Sequence, residues 1–215
     1  DVRELSGGEY PTFVINRTGT PAGPAWTMGN DLAKYINLAL AEKLPGSVEL
    51  GAAWDNEARD AIKIQTRTTF ELNAQKLPFE IGYVILEDGM SGEGAEWAQR
   101  NDYSGIEDIY DKRLEELTKL PVLIYGQKYD HVPVAAWGAY KGVDGSLPSS
   151  VSAGVPIEGW FVADIGSNKL IQNKENLSVV ALVVNKESGK IINAAKCKVG
   201  DTLSPSSITS TSAEN

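Results

Sequence analysis

The chain carries one histidine, His131, directly after Asp130. A carboxylate can orient an imidazole for proton transfer, provided that both side chains meet on one side of the backbone. Successive strand residues point to opposite faces, and His131 opens a strand-like run, so the spacing argues for a structural histidine at a sheet edge rather than a dyad. The single cysteine, Cys197, leaves these residues without an intrachain disulfide, a Cys-x-x-Cys pair or a thiolate zinc cluster. It shares an alternating face with Ile191, Ala195 and Val199, opposite Lys196 and Lys198, and reads as a small buried apolar residue.

Glu87, Asp88 and Glu93 open an acidic stretch that runs on through Glu96, Asp102, Glu107, Asp108 and Asp111 among Gly89, Gly92 and Gly94. Such oxygen-rich loops suit Ca2+, which makes these three residues the candidate metal ligands. Their spacing does not follow the EF-hand loop, and a solvated acidic loop is the commoner explanation, so no cofactor is expected. Aromatic chemistry offers a second candidate. Trp160 shares a strand face with Glu158, Val162 and Asp164, opposite Ile157 and Phe161, and Tyr140 closes its own strand. Exposed aromatics beside carboxylates suit stacking on a sugar or gripping a peptide, so Trp160, Tyr140, Glu158 and Asp164 are the candidate ligand-binding residues. Packing beneath a loop is the plainer alternative. There is no Gly-x-Ser-x-Gly elbow, no His-Glu-x-x-His and no phosphate-binding Gly-rich loop, so no catalytic constellation and no enzyme activity is expected.

The elements that must position these residues are mainly strands. Residues 30–44 repeat Leu32, Ile36, Leu40 and Leu44 at helical spacing and stop at Pro45-Gly46. Beyond Gly46 the period shortens to two. Ala61 to Phe70 alternates Ile62, Ile64, Thr66, Thr68 and Phe70 against Lys63, Gln65, Arg67 and Thr69. Further strands are expected over 48–54, 81–86, 131–140, 157–163, 177–184 and 190–199, with a hairpin loop at Asn185 to Gly189. About seven such strands predict an immunoglobulin-like antiparallel β-sandwich, interrupted by a helix near 103–120 on which Ile106, Ile109, Tyr110, Arg113, Leu114 and Leu117 share a face. The Ser/Thr-rich residues 201–215 read as a flexible tail.

With 42% apolar and 23% charged residues, the 215-residue chain has the composition of a folded globular protein. A formal net charge of -9 argues against nucleic acid and against anionic membrane surfaces as partners. No apolar run is long enough to cross a membrane. The chain opens on Asp1 rather than Met, which is compatible with export signals or a lipid anchor further upstream.

Four segments resemble the outer-membrane-protein-28 family of bacterial surface proteins: YVILEDGM in 77–90, WAQRNDYSG, YDHVPVAAWGAYKGVDG, and NLSVVALVVNKESGKIINAAKCKVGD. The segment GEYPTFVINR is similar to the strand that follows the cis-proline of thioredoxin-like domains, which would make Pro11 the cis residue. The resemblance implies the C-terminal strand and helix of a thioredoxin-like α/β domain over 1–46, then the β-sandwich over 47–200. It also implies a surface protein or lipoprotein of the outer membrane or periplasm. On that reading the chain is a non-catalytic binding module for a protein or glycan at the cell surface. Alternatively, it is the client-binding half of an envelope thiol oxidoreductase whose redox motif lies upstream.

Overall fold

The computed structural model describes residues 14–17 and 29–203. The cis-proline reading of Pro11 and most of the Ser/Thr-rich tail lie outside them. Of the first expected strand only Val14 and Ile15 are described, and neither is in a strand; Asn16 and Arg17 form a turn with positive φ. The helix of the sequence pattern is α1, Gly29–Ala41. Two of the residues that define its apolar stripe, Ile36 and Leu40, are 42% and 64% exposed.

All seven long strands occur within a few residues of their expected bounds. They are β1 (Gly46–Trp54), β2 (Ala61–Phe70), β3 (Phe79–Glu87), β6 (Val132–Trp137), β7 (Pro156–Asp164), β8 (Leu177–Asn185) and β9 (Ile191–Lys198). A two-residue ribbon, β4 (Gln99–Arg100) with β5 (Leu123–Ile124), sits in the long excursion between β3 and β6. One sheet runs β1-β2-β7 and the other β6-β3-β8-β9, with every pairing antiparallel. Lettered A, B, C, C′, E, F, G in chain order, the long strands form the sheets A-B-E and C′-C-F-G of an immunoglobulin-like sandwich.

Alternation decides this arrangement. Val48, Leu50, Ile62, Ile64 and Phe70 turn inward from the first sheet onto Ile81, Tyr83, Ile85, Val179 and Ala181 of the second. The inter-sheet layer is pinned by Tyr83 stacked on Phe161, ring centroids 4.5 Å apart, and by Trp137 tilted against the same ring at 5.6 Å. The central strands β3 and β8 are buried at nearly every position; on β3 the 138–147 connection folds over the outer side at Glu80 and Gly82. Buried Glu80 holds that connection, accepting from the Ser146 hydroxyl at 2.9 Å and the Leu147 N–H at 3.1 Å, with Lys186 3.3 Å away. The β8–β9 hairpin turns where expected: Gly189, at φ +73, donates its N–H to the Asn185 carbonyl at 2.7 Å.

Residues 103–120 depart from the expected continuous helix. They form turns, a 3-10 turn over Lys112–Leu114 and one α-helical turn, α2 (Glu115–Thr118). Gly105 adopts φ +74, and the Asp111 carboxylate accepts the Arg113 N–H at 3.0 Å, so a new turn starts where the helix would have continued. Tyr103, Ile106 and Tyr110 remain exposed, so the apolar face has no layer to bury against among the described residues.

The strict alternation of β2 carries Thr68 into the core, 1% exposed, with no hydrogen-bond partner for its hydroxyl among the described residues. Thr68→Val removes that unpaired group while keeping the side-chain shape. It should raise the unfolding free energy by about 1 kcal/mol in urea titrations; a loss of stability would show that the hydroxyl is satisfied.

Candidate functional site

The outer face of the β1-β2-β7 sheet is ruled by register. Three rows cross it: Glu49, Arg67 and Glu158; Gly51, Gln65 and Trp160; Ala53, Lys63 and Val162. In the first row the Arg67 guanidinium bridges two carboxylates, with Nη1 3.1 Å from Glu49 and Nε 2.6 Å from Glu158. Gln65 donates to the second oxygen of Glu158 at 3.3 Å. The hydrogen bond from Arg67 holds the Glu158 carboxyl below the usual carboxylate range and raises the Arg67 pKa in turn. Because the folded-state pKa of Glu158 is depressed, the clamp is intact above that range and is lost only as the pH falls through the lowered value.

In the next rows the Lys63 ammonium lies 4.8 Å from the Trp160 ring centroid, and Trp160 remains 58% exposed. A wall completes the site. After β9 the chain leaves its own sheet and runs along the free edge of β1: the Gly200 N–H donates to the Ala52 carbonyl at 2.7 Å, and the Asp201 carbonyl accepts from the Ala52 N–H at 3.0 Å. This crossing needs glycine at 51, where a Cβ would lie 2.8 Å from the Leu203 nitrogen. Between wall and tryptophan lies a groove of about 520 Å³, lined by Gly51, Lys63, Gln65, Arg67, Trp160 and Thr202.

Trp160 and Glu158 share the outer face of the sheet, Trp160 lining the groove and Glu158 holding Arg67 beside it. Asp164 is on the same face at the end of β7, where it accepts the Gly166 N–H at 3.0 Å. Tyr140 belongs elsewhere. It lies in a turn beyond β6 rather than at a strand end, with the Arg17 guanidinium 4.9 Å from its ring centroid.

His131 sits at a bend with φ +59 just before β6, and its partner is Asp88, not Asp130. Asp88 Oδ1 accepts the His131 backbone N–H at 2.7 Å and lies 2.9 Å from Nδ1; Lys196 Nζ lies 3.0 Å from Nε2. Asp130 returns the arrangement by accepting the Gly89 N–H at 2.8 Å, and Met90 and Tyr129 pair between these turns. Both imidazole nitrogens are thus engaged in tying the ends of three strands. The backbone hydrogen bond from His131 keeps the Asp88 carboxyl below its ordinary range.

The three candidate metal ligands point apart. Glu87 is buried, and its carboxylate accepts the N–H groups of Gln172, at 3.0 and 3.1 Å, and Asn173, at 2.6 Å. Asp88 is committed to His131, and Glu93 faces solvent. Among the described residues no three acidic, His or Cys side chains gather to hold a metal ion. Cys197 is buried, and burial, with Asp201 nearby, pushes its thiol up to about 12. Lys63, Gln65 and Arg67 beside the groove, and Lys196 at His131, are residues that sequence reasoning did not single out. The β2 alternation displays the first three, but only strand pairing places them beside Trp160.

No protein-family model matches the chain, and no curated protein matches it. Among solved structures, HBP35 of Porphyromonas gingivalis is similar, with a TM-score of 0.50 at 13% sequence identity. The likeness covers 94% of this chain and 56% of that one, so the chain spans little more than half the length of that relative. At this identity the likeness concerns the fold alone.

Glu87→Ala strips two backbone N–H groups of their acceptor and should cost about 2 kcal/mol in a denaturant titration, whereas an unchanged midpoint would mean that solvent replaces the carboxylate freely. The native Cys197 thiol should resist a disulfide-exchange reagent at pH 8 and react within seconds once the chain is unfolded in guanidinium. Rapid native reaction would contradict both its burial and its raised pKa.

Proposed function

We propose that this chain is a non-catalytic binding module of a bacterial cell envelope, and that its contact surface is the groove beside Trp160. The observation that carries the reading is the combination of an exposed indole with fixed polar side chains in one concave site. Trp160 offers a flat apolar surface, Gln65 and Lys63 offer donors, and Arg67 is held in place by two carboxylates rather than left to swing. These groups suit a glycan, whose ring stacks on an indole while its hydroxyls exchange hydrogen bonds along the groove. They do not assemble a nucleophile with a base, and the engaged His131 lies on another part of the molecule, which supports a binding role over a chemical one. The family resemblance of the sequence supports placement at the outer membrane surface or in the periplasm, with any lipid anchor upstream. The net charge of -9 supports a partner other than nucleic acid.

A second reading rests on α1. Its Tyr35 and Leu38, three positions apart, are exposed on one side, while Ile36 and Leu40 line a cavity against β9; an apolar side left open in this way is what a further structural layer covers, as the last helix of a thioredoxin-like sheet would have. On that reading the sandwich selects clients for a redox centre carried elsewhere in a longer protein.

A glycan microarray probed with the wild-type chain and with Trp160→Ala tests the first reading. Binding to a restricted glycan set, reduced at least ten-fold by the substitution and unchanged by Tyr140→Ala, is the expected result. An empty array, or binding indifferent to Trp160, overturns it.

A further inference from the structure

A two-sheet sandwich has four edge strands, each a template for another strand unless something blunts it. Three are blunted here. The outer edge of β1 is occupied at Ala52 by the Gly200–Asp201 segment. At β9 the Ile191 N–H donates to the Asn16 carbonyl at 3.0 Å. The short strand β6 carries Pro133 and a register irregularity, and Asn168 takes its Val134 carbonyl at 2.9 Å. The fourth edge, β7, has no backbone partner on its outer side among the described residues.

The ladder shows which groups that edge presents. The Ile165 N–H bonds to the Asp60 carbonyl in the same register that pairs β2 with β7, so odd-numbered β7 residues direct their backbone groups toward β2. Glu158, Trp160, Val162 and Asp164 therefore direct theirs outward, and Pro156, which has no N–H, takes the first outward position, where a proline is tolerated. Glu158, Trp160 and Val162 are exposed, and no lysine or bulge interrupts the run.

We infer that β7 is a self-association edge, on which a second copy of this chain adds its own β7 antiparallel about a two-fold axis at Trp160. The argument for a second copy is self-complementarity. Pairing about Trp160 sets Glu158 opposite Val162 of the other copy, and Pro156 opposite Asp164. The intramolecular rows then join into Lys63, Val162, Glu158, Arg67, with the last two from the second copy. No like charges stand directly opposite, and the acidic residue enters between two basic ones. The product is a continuous six-stranded sheet whose outer face carries two Trp160 grooves. An edge-only contact buries less than a standard interface, so a weak dimer follows, with a dissociation constant of roughly 10 µM to 1 mM.

Analytical ultracentrifugation of the full chain from 10 µM to 1 mM tests this at low salt, with Val162→Glu and Val162→Lys as variants. Val162→Glu sets two carboxylates opposite each other twice in the dimer, whereas within one molecule it faces Lys63, so folding is not at risk. Val162→Lys faces Glu158 of the second copy and, within one molecule, Lys63, so its melting is followed beside that of the wild type. The expected result is a monomer–dimer equilibrium in which Val162→Lys associates at least ten-fold more tightly than Val162→Glu, both variants melting cooperatively. A wild-type chain that stays monomeric through 1 mM overturns the inference, as does association that the two variants weaken alike.

Discussion

The register of β2 against its two neighbours is the constraint on which the rest of the molecule depends. A strand alternates its side chains, so once Ile62 and Ile64 are committed to the core, Lys63, Gln65 and Arg67 must face out. Pairing with β1 and β7 then fixes which residues stand beside them, and a slip by one position would bury Arg67 and expose Ile64. The hydrophobic penalty against that slip is large, and the Tyr83–Phe161–Trp137 contact between the sheets enforces it from the other side. The groove-bearing face is thus set by the same burial that stabilises the fold.

Closure of the sandwich edges adds a second layer of organisation. The segment after β9 blunts the β1 edge and in the same stroke raises the wall of the groove, so one stretch of backbone serves both stability and shape. The loop after β7 similarly contributes Asn168 to the β6 edge and the N–H groups of Gln172 and Asn173 to buried Glu87. Glu87, which by composition belonged to an acidic loop, is therefore an anchor of the connection between the sheets. Its neighbour Asp88 plays a related part through His131. Local acidity in the sequence was a poor guide because each carboxylate finds a different donor in three dimensions.

Much of the fold was legible from periodicity. The β2 strand was bounded correctly at both ends because Ala61 to Phe70 alternates without interruption, and the β8–β9 hairpin because an Asn-to-Gly loop separates two apolar runs. Within the excursion between β3 and β6, the spacing of residues 103–120 predicts a helix that does not form as one. Its apolar spacing is helical, but a short helix is stable only when its stripe is buried, and among the described residues Tyr103 and Ile106 stay exposed. The alternation predicts His131 inside a strand, but its position depends on a carboxylate contributed from the end of β3, far away in the chain.

By itself, the sequence determined what each strand would turn inward, that Trp160 and Glu158 share a face, and that no thiol or histidine chemistry is assembled by local spacing. Those properties follow from the two-residue period of a strand and need no knowledge of partners. Only the tertiary structure decided that Gln65 and Arg67 stand beside Trp160, that Tyr140 does not, and that β7 keeps an open edge among the described residues. Each of those depends on contacts between residues about 90 or more positions apart in the chain or on which strand lacks a neighbour, and pairing across such distances is set by the global burial of two sheet faces rather than by any local signal.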